Sequence, residues 1–381
     1  MNSVRSFIFH TAAVAALLTS ATACGRSDDP APRAYSAELT QAIDRILQQS
    51  VPGLQMVVTE NGHNSFRAAG VGDLATGQPF SDDARIRIAS NTKTFVATVV
   101  LQLVGEGKID LDGPIERYLP GLLQGNGYAG NRITVRNLLQ HTAGIPNYID
   151  PAKLSKSVGN RHHQPLEADQ VVRETLQTKA ALGEPGTRME YSNTSYLLAG
   201  MLIERVTGRT VQTEITERII EPLHLTSTYY PEPGESTLRT PYAHGYDLVD
   251  GQLTEATELD AYGVGGADGA LVSTGAELNR FFLALLDGRL LPPQLLSEMK
   301  RTVPSDLPLP GLQGAGLGLF RYELSCGLEV WGHGGSAPGF VTTGGVTADR
   351  RAVTLTTNLQ PPTAQFVAAL GDARDAAICS A

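Results

Sequence analysis

Two periods of apolar residues meet at Ser90. Ahead of it Arg85, Ile86, Arg87 and Ile88 alternate, the period of a short sheet edge. Behind it the pairs Phe95-Val96, Val99-Val100 and Leu103-Val104 recur every four residues up to Gly105 and Gly107, the period of a buried helix with a glycine stop. Ser90 is thereby placed at a helix N-terminus, facing free backbone N–H groups and the positive end of the helix dipole. Lys93, three residues on, projects from the same face.

Elsewhere the pattern predicts a helix over 37–49, then strands over 54–59 and 65–70 joined by the turn Asn61-Gly62. Far along the chain, 328–332, 339–346 and 352–357 are strand-like, and 363–379 is a final helix. The middle reads as helical, over 135–140, 195–206, 211–220, 277–286 and 294–299. Thr274-Gly-Ala-Glu277 has the form of a capping box, and Gly208 is a helix stop. Two glycine-rich loops, His141-Thr-Ala-Gly144 and Gly263-Val-Gly-Gly-Ala-Asp-Gly269, suit a cleft lined by backbone. Both termini therefore offer sheet and covering helix around a helical middle. No internal repeat is present.

Composition narrows the setting. With 381 residues, 41% of them hydrophobic and 18% charged, the chain can bury one large core or two smaller ones. A net charge of -9, with no basic run of five, argues against a nucleic-acid partner. Residues 1–23 have the form of an export signal: Arg5, an apolar run from Phe7 to Leu18, then Ala21-Thr-Ala23. Cleavage there would leave Cys24 first, a candidate for lipidation, so the protein is expected to be exported and either secreted or anchored to the outer face of the cell membrane. Residues 24–34 read as a disordered tether, and 35–381 as the folded domain, its sheet part at 35–88 and 305–381 and its helical part at 89–304. Cys326 and Cys379 form an even pair in an oxidising compartment and are expected to be bridged, two free buried thiols being the alternative.

The candidate chemistry starts from Ser90 and Lys93. A serine hydroxyl is a weak nucleophile unless a neighbour takes its proton, and a buried lysine can do that or tune another base. The pattern alone is weak, because Ser90 could simply cap its helix and Ser297-Glu-Met-Lys300 repeats it inside an amphipathic stretch without partners. Two further stretches change its weight. Tyr191-Ser192-Asn193 offers a tyrosine able to act as general base. His333-Gly334-Gly335-Ser336 offers a donor or positive potential beside it, with glycines that let substrate backbone lie along the strand. Neither Tyr-x-Asn nor His-x-Gly occurs elsewhere. There is no Gly-x-Ser-x-Gly elbow, no zinc signature and no dinucleotide or phosphate loop; His162-His163 reads as a solvated pair. Neither a metal nor a cofactor is implied.

Ser-x-x-Lys, Tyr-x-Asn and His-x-Gly in this chain order resemble the penicillin-recognising serine hydrolases: class C β-lactamases, D-alanyl-D-alanine carboxypeptidases and related esterases. Within that group the chain resembles the secreted actinomycete carboxypeptidases, through stretches such as 101–112, 133–136, 191–194, 199–204 and 324–327. The resemblance implies an α/β (α+β) fold: an antiparallel sheet flanked by helices, built from both termini, with an inserted all-helical subdomain. It implies that Ser90 is the acylated nucleophile, that Lys93 assists its deprotonation and that Tyr191 is the general acid and base. Asn193 would bind the substrate amide, His333 would stand where other members carry lysine, and the backbone N–H groups of Ser90 and Ser336 would form the oxyanion hole. Two departures stand out. Gly334 occupies the place of a threonine, and Phe320 that of an arginine that contacts the substrate carboxylate; Arg321, one residue along a strand, should face away. The implied substrate is a small molecule or peptide (a D-alanyl peptide, with a β-lactam or ester as alternatives) handled by a monomer. A non-catalytic receptor for β-lactams or peptidoglycan is the reading from another class.

Overall fold

The computed structural model describes residues 36–159, 166–260, 265–361 and 363–379. The export signal, Cys24, the tether, His162-His163 and Gly263-Val264 lie outside them. Within Tyr35–Ala381, one antiparallel sheet runs in the order His63–Gly70, Gly53–Glu60, Ala352–Thr357, Phe340–Thr347, Glu329–Gly332, Phe320–Glu323, Leu312–Ala315. Gly335–Ala337 also pairs with Phe340–Thr347. The first hairpin turns at Asn61 (φ 51°) and Gly62 (φ 81°), the paired positive φ that a two-residue turn of matching twist requires.

Alternation along the strands divides the apolar residues between two cores. Val353 and Leu355 face the helices Ala37–Leu47 and Ala364–Cys379, whereas Ala352 faces a larger core containing Phe281 and Phe282 of the helix Gly275–Leu286. Asn279 fastens that helix to the sheet: its amide donates to Val57 O (3.1 Å) and Thr59 Oγ1 (2.9 Å) and accepts from Thr354 Oγ1 (2.7 Å). The larger core also swallows the helix Thr92–Gly105. It is apolar nearly all round, the pattern of a helix enclosed on every side, and Phe95 stacks on Phe281 with ring centroids 3.6 Å apart.

Several sequence expectations are corrected. Residues 85–88 do not edge the main sheet; Ile86–Arg87 pairs in a two-residue ladder with Val272–Ser273. The predicted helix over 211–220 is Val211–Ile215 followed by a wider π turn, Thr216–Ile220. The capping box at Thr274 is half made: Thr274 caps Glu277 N at 3.2 Å, but the Glu277 carboxylate instead accepts from Ser227 N at 3.0 Å and Thr228 Oγ1 at 2.6 Å. The helix Ala168–Thr178 and the hairpin Tyr246–Val249/Gln252–Glu255 were not anticipated. Among the described residues no helix is long and apolar enough to cross a membrane.

Cys326 and Cys379 form a disulfide, with Cα atoms 5.9 Å apart, joining the turn after Phe320–Glu323 to the end of the last helix. The sequence separation is 53 residues, for which loop closure in the unfolded chain predicts a contribution of about 4 kcal/mol. Reduction, or a Cys326→Ser/Cys379→Ser double replacement, is expected to lower the melting temperature clearly in calorimetry. An unchanged melt would show that the bridge constrains nothing.

Candidate active site

Ser90 lies in a single 3-10 turn, Ala89–Asn91, and the α-helix proper begins at Thr92. It is therefore not an N-cap: the capping position is Asn91, which makes no side-chain cap. Ala89 holds φ 46°, an uncommon conformation for a residue with a Cβ. The turn is pressed against the strand Gly335–Ala337. A Cβ on Gly335 would stand 2.1 Å from Ile88 O and 2.8 Å from Asn91 Nδ2, so only glycine fits. This close approach brings the Ser336 backbone alongside the Ser90 turn.

Lys93 is fully buried. Its ammonium donates to Ser90 Oγ at 3.0 Å, Asn193 Oδ1 at 2.6 Å and the Asp268 carbonyl at 2.6 Å, three acceptors for three donors. Nζ also stands 5.1 Å from the Tyr191 ring centroid and 5.5 Å from that of Tyr196. The Asp268 carboxylate turns the other way and accepts from Gly266 N (2.9 Å) and Tyr148 Oη (3.1 Å). Asn193 opens the helix Asn193–Thr207, and its Nδ2 donates to Asn147 Oδ1 at 3.2 Å.

His333 follows the strand Glu329–Gly332 and stacks on Phe320, centroids 4.4 Å apart. Its Nδ1 meets the Gly334 carbonyl at 2.5 Å, which must accept, so the proton sits on Nδ1. Nε2 is then a buried lone pair without a hydrogen-bond partner. Burial pushes the imidazole pKa down to about 3; the Gly334 carbonyl opposes this and the Lys93 charge adds to it. The expected positive potential is thus corrected: His333 is neutral and presents an acceptor. Phe320 is buried and faces the same cavity, while Arg321, opposite Trp331 in the ladder, reaches Glu329 at 3.5 Å on the other side.

A cavity of about 330 Å³ runs from Ser90, Tyr191 and Asn193 past His333 to an apolar wall that includes Leu309, Val367 and Leu370. Gly334, Gly335 and Ser336 form its rim, where the exposed Ser336 hydroxyl donates to Gln360 Oε1. A smaller recess shares Ser90, Asn193 and Ser336 and continues to Tyr148 and Ile149. The structure thus gathers the three stretches singled out in the sequence around one cleft. It adds His141, Asn147, Asp268, Gln360 and Arg374, which sequence reasoning did not single out. His141 and Asp268 lie in the two glycine-rich loops flagged as cleft lining, so their neighbourhood carried a signal; Gln360 and Arg374 carried none. Among the described residues no cluster of His, Cys, Asp or Glu could hold a metal ion.

A Ser-x-x-Lys pair at a buried helix start, set against a strand of a helix-flanked antiparallel sheet, defines the serine-hydrolase fold of β-lactamases and penicillin-binding proteins. The Beta-lactamase family model matches residues 35–378, and the chain belongs to that family. In solved structures it is similar to a D-stereospecific amidohydrolase from Streptomyces sp., at 36% identity and a TM-score of 0.79, covering 91% of this chain and 99% of the other. It is also similar to the D-amino acid amidase from Ochrobactrum anthropi SV3, at 28% identity and a TM-score of 0.77, covering 90% and 100%. Among curated proteins it is 29% identical over 215 residues to Protein flp of Staphylococcus aureus (strain N315), over 55% of this chain and 41% of that protein. The chain thus spans less than half the length of that relative.

The neutral His333 has a measurable consequence. The folded protein holds its pKa at about 3 against an ordinary value of 6.5, so between these values the unfolded chain binds the extra proton. The stability contribution is full above the ordinary value and is lost as pH falls toward the folded one. In urea titrations at about pH 7 and about pH 4.5, His333→Gln is expected to lose less stability on acidification than the unmodified protein. Equal losses would refute the buried neutral state.

Proposed function

We propose that this chain is a serine hydrolase that forms an acyl-enzyme at Ser90 and acts on neutral D-aminoacyl amides and esters in preference to peptides ending in a free carboxylate. The observation that carries this reading is Phe320, buried and stacked on His333 where the resemblance implies an arginine. A carboxylate placed against Phe320 would lose its hydration without gaining a partner from that side chain, which costs several kcal/mol, and Gly334 supplies no hydroxyl in compensation. Similarity to a D-stereospecific amidohydrolase and to a D-amino acid amidase solved with D-phenylalanine supports the same substrate class.

In this reading Lys93, with all three donors engaged, acts as a fixed ammonium that holds the Ser90 hydroxyl and does not itself take its proton. Tyr191 enters this step as the phenolate, with the Lys93 ammonium 5.1 Å from its ring; it accepts that proton as Ser90 attacks the carbonyl carbon and returns it to the leaving amine or alkoxide, which restores the phenolate. Water then attacks the acyl-enzyme by the reverse relay. The backbone N–H groups of Ser90 and Ser336 receive the developing oxyanion, each worth on the order of 3 kcal/mol. Asn193, tied to Lys93 and Asn147, holds the acyl amide with its remaining N–H. Export, with secretion or a lipid on Cys24, belongs to the same proposal and rests on residues 1–24 alone.

One observation favours a second reading, the D-alanyl-D-alanine carboxypeptidase. Arg374 lines the same cavity, although it already donates to Pro310 O at 2.8 Å and lies 4.4 Å over the Tyr322 ring. A carboxylate reaching it would find a cation.

Penicillin is expected to acylate Ser90, with the adduct mapped by peptide mass spectrometry, and Ser90→Ala to abolish adduct and turnover; an adduct on Ser297 would sink the assignment. A permanent adduct with no turnover of any amide or ester would mark a receptor. Tyr191→Phe should lower kcat by at least about a hundredfold. For substrate choice, kcat/KM for a D-aminoacyl amide and an acyl ester should exceed that for acyl-D-alanyl-D-alanine, with Phe320→Arg shifting the ratio toward the peptide. The opposite preference, lost on Arg374→Leu, would establish the second reading.

A further inference from the structure

His141 stands next to Tyr191 in space but 50 residues earlier in the chain, and the reaction scheme gives it no step. Four observations converge on it. Its carbonyl accepts from Glu190 N at 2.7 Å and its Nδ1 accepts from Ser192 N at 3.2 Å, so one residue holds the N–H groups of both neighbours of Tyr191. Its ring lies 4.3 Å from the Tyr191 ring, tilted by 31°, and 5.2 Å from that of Tyr196. It holds φ 58°, a left-handed conformation that a β-carbon disfavours. It is buried, and its Nε2 has no hydrogen-bond partner.

We infer that His141 is the positioning residue of Tyr191: a clamp that fixes both the backbone and the ring plane of the proton-transferring tyrosine against Ser90 and Lys93. The inference rests on the reading in which Tyr191 moves the proton. Tyr191 precedes the N-cap Ser192, whose backbone is extended, so neither helix nor sheet restrains it. The flanking N–H groups would otherwise leave the tyrosine free to swing. The left-handed turn at His141 allows its own carbonyl and its own ring nitrogen to face the same short segment. Because Nδ1 accepts, the ring is the neutral Nε2–H tautomer. Burial, with the nearby Lys93 charge, keeps the imidazole pKa well below its ordinary value, so no second cation is set against the Lys93 ammonium. Tyr196 completes the clamp from behind, its hydroxyl donating to Leu139 O at 2.8 Å.

Two replacements separate the clamp's parts. Asparagine tolerates positive φ, and its Oδ1 can stand in for Nδ1, so His141→Asn keeps the backbone hold and removes the stacked ring; His141→Gly removes the ring and the acceptor for Ser192 N and leaves only the carbonyl contact to Glu190 N. With the amide or ester substrate, kcat is expected to fall by about tenfold in His141→Asn and by up to about a hundredfold in His141→Gly, the scale of a slightly misplaced catalytic group, with KM unchanged. In a Tyr191→Phe background neither replacement should lower kcat further. A purely structural role would instead lower the melting temperature, raise KM and add its loss to that of Tyr191→Phe. The inference is overturned if kcat of both variants stays within about twofold of the unmodified enzyme, or if the losses add. Should the asparagine protein fail to fold, the glycine protein carries the same cycle. If Tyr191→Phe alone leaves kcat intact, the reading of Tyr191 has failed; if it collapses kcat while the His141 variants do not, only the clamp has.

Discussion

The site depends on a buried ammonium. Lys93 is wholly withdrawn from water, and a cation in that position persists only when its hydrogens are matched by acceptors and its field by dipoles. Its three acceptors come from three separate parts of the chain: the Ser90 turn, the start of the helix Asn193–Thr207 and the loop carrying Asp268. Satisfying one side chain therefore assembles the cleft. Any movement of one of the three segments would leave a donor unpaired in a low-dielectric interior, a penalty on the order of 1–3 kcal/mol or more for a charged group.

The second constraint is backbone contact. The strand Gly335–Ala337 approaches the Ser90 turn so closely that a single methyl group at Gly335 would collide with Ile88 O. Hydrogen bonding of that strand to Phe340–Thr347 fixes its height, and the alternation of residues between the two cores fixes the register of the sheet behind it. A slip of one residue would exchange the cores, so the wall opposite Ser90 is held by the most strongly specified part of the fold.

How far this was legible in the sequence differs by element. The period-two and four-residue spacings located the first hairpin, the nucleophile helix and the last two strands, because each has one dominant burial pattern. The helix Ala168–Thr178 was missed because only one stripe of it, Val171, Val172, Thr175 and Leu176, is buried, and the strand Leu312–Ala315 is short and contains a glycine. The motif residues of the site were readable because their chemistry is unusual in combination. The His333 charge state was not readable, since it follows from burial against Phe320 and from the Gly334 carbonyl. Nor was the half-made capping box, where Glu277 meets a loop fifty residues away.

The disulfide has a further meaning for the cleft. Its two sides belong to different covalent topologies: His333, Ser336, Gln360 and Arg374 all lie inside the ring closed by Cys326 and Cys379, whereas Ser90, Lys93, Tyr191 and Asn193 lie on the open chain. A protease that cuts once within the ring releases no fragment; the severed ends stay tethered at both flanks and can find their strands again. A cut in the helical half has no such safeguard. The segment from His333 to Arg374 therefore stays tethered to the fold after a nick, whereas the helical side endures only by its packing.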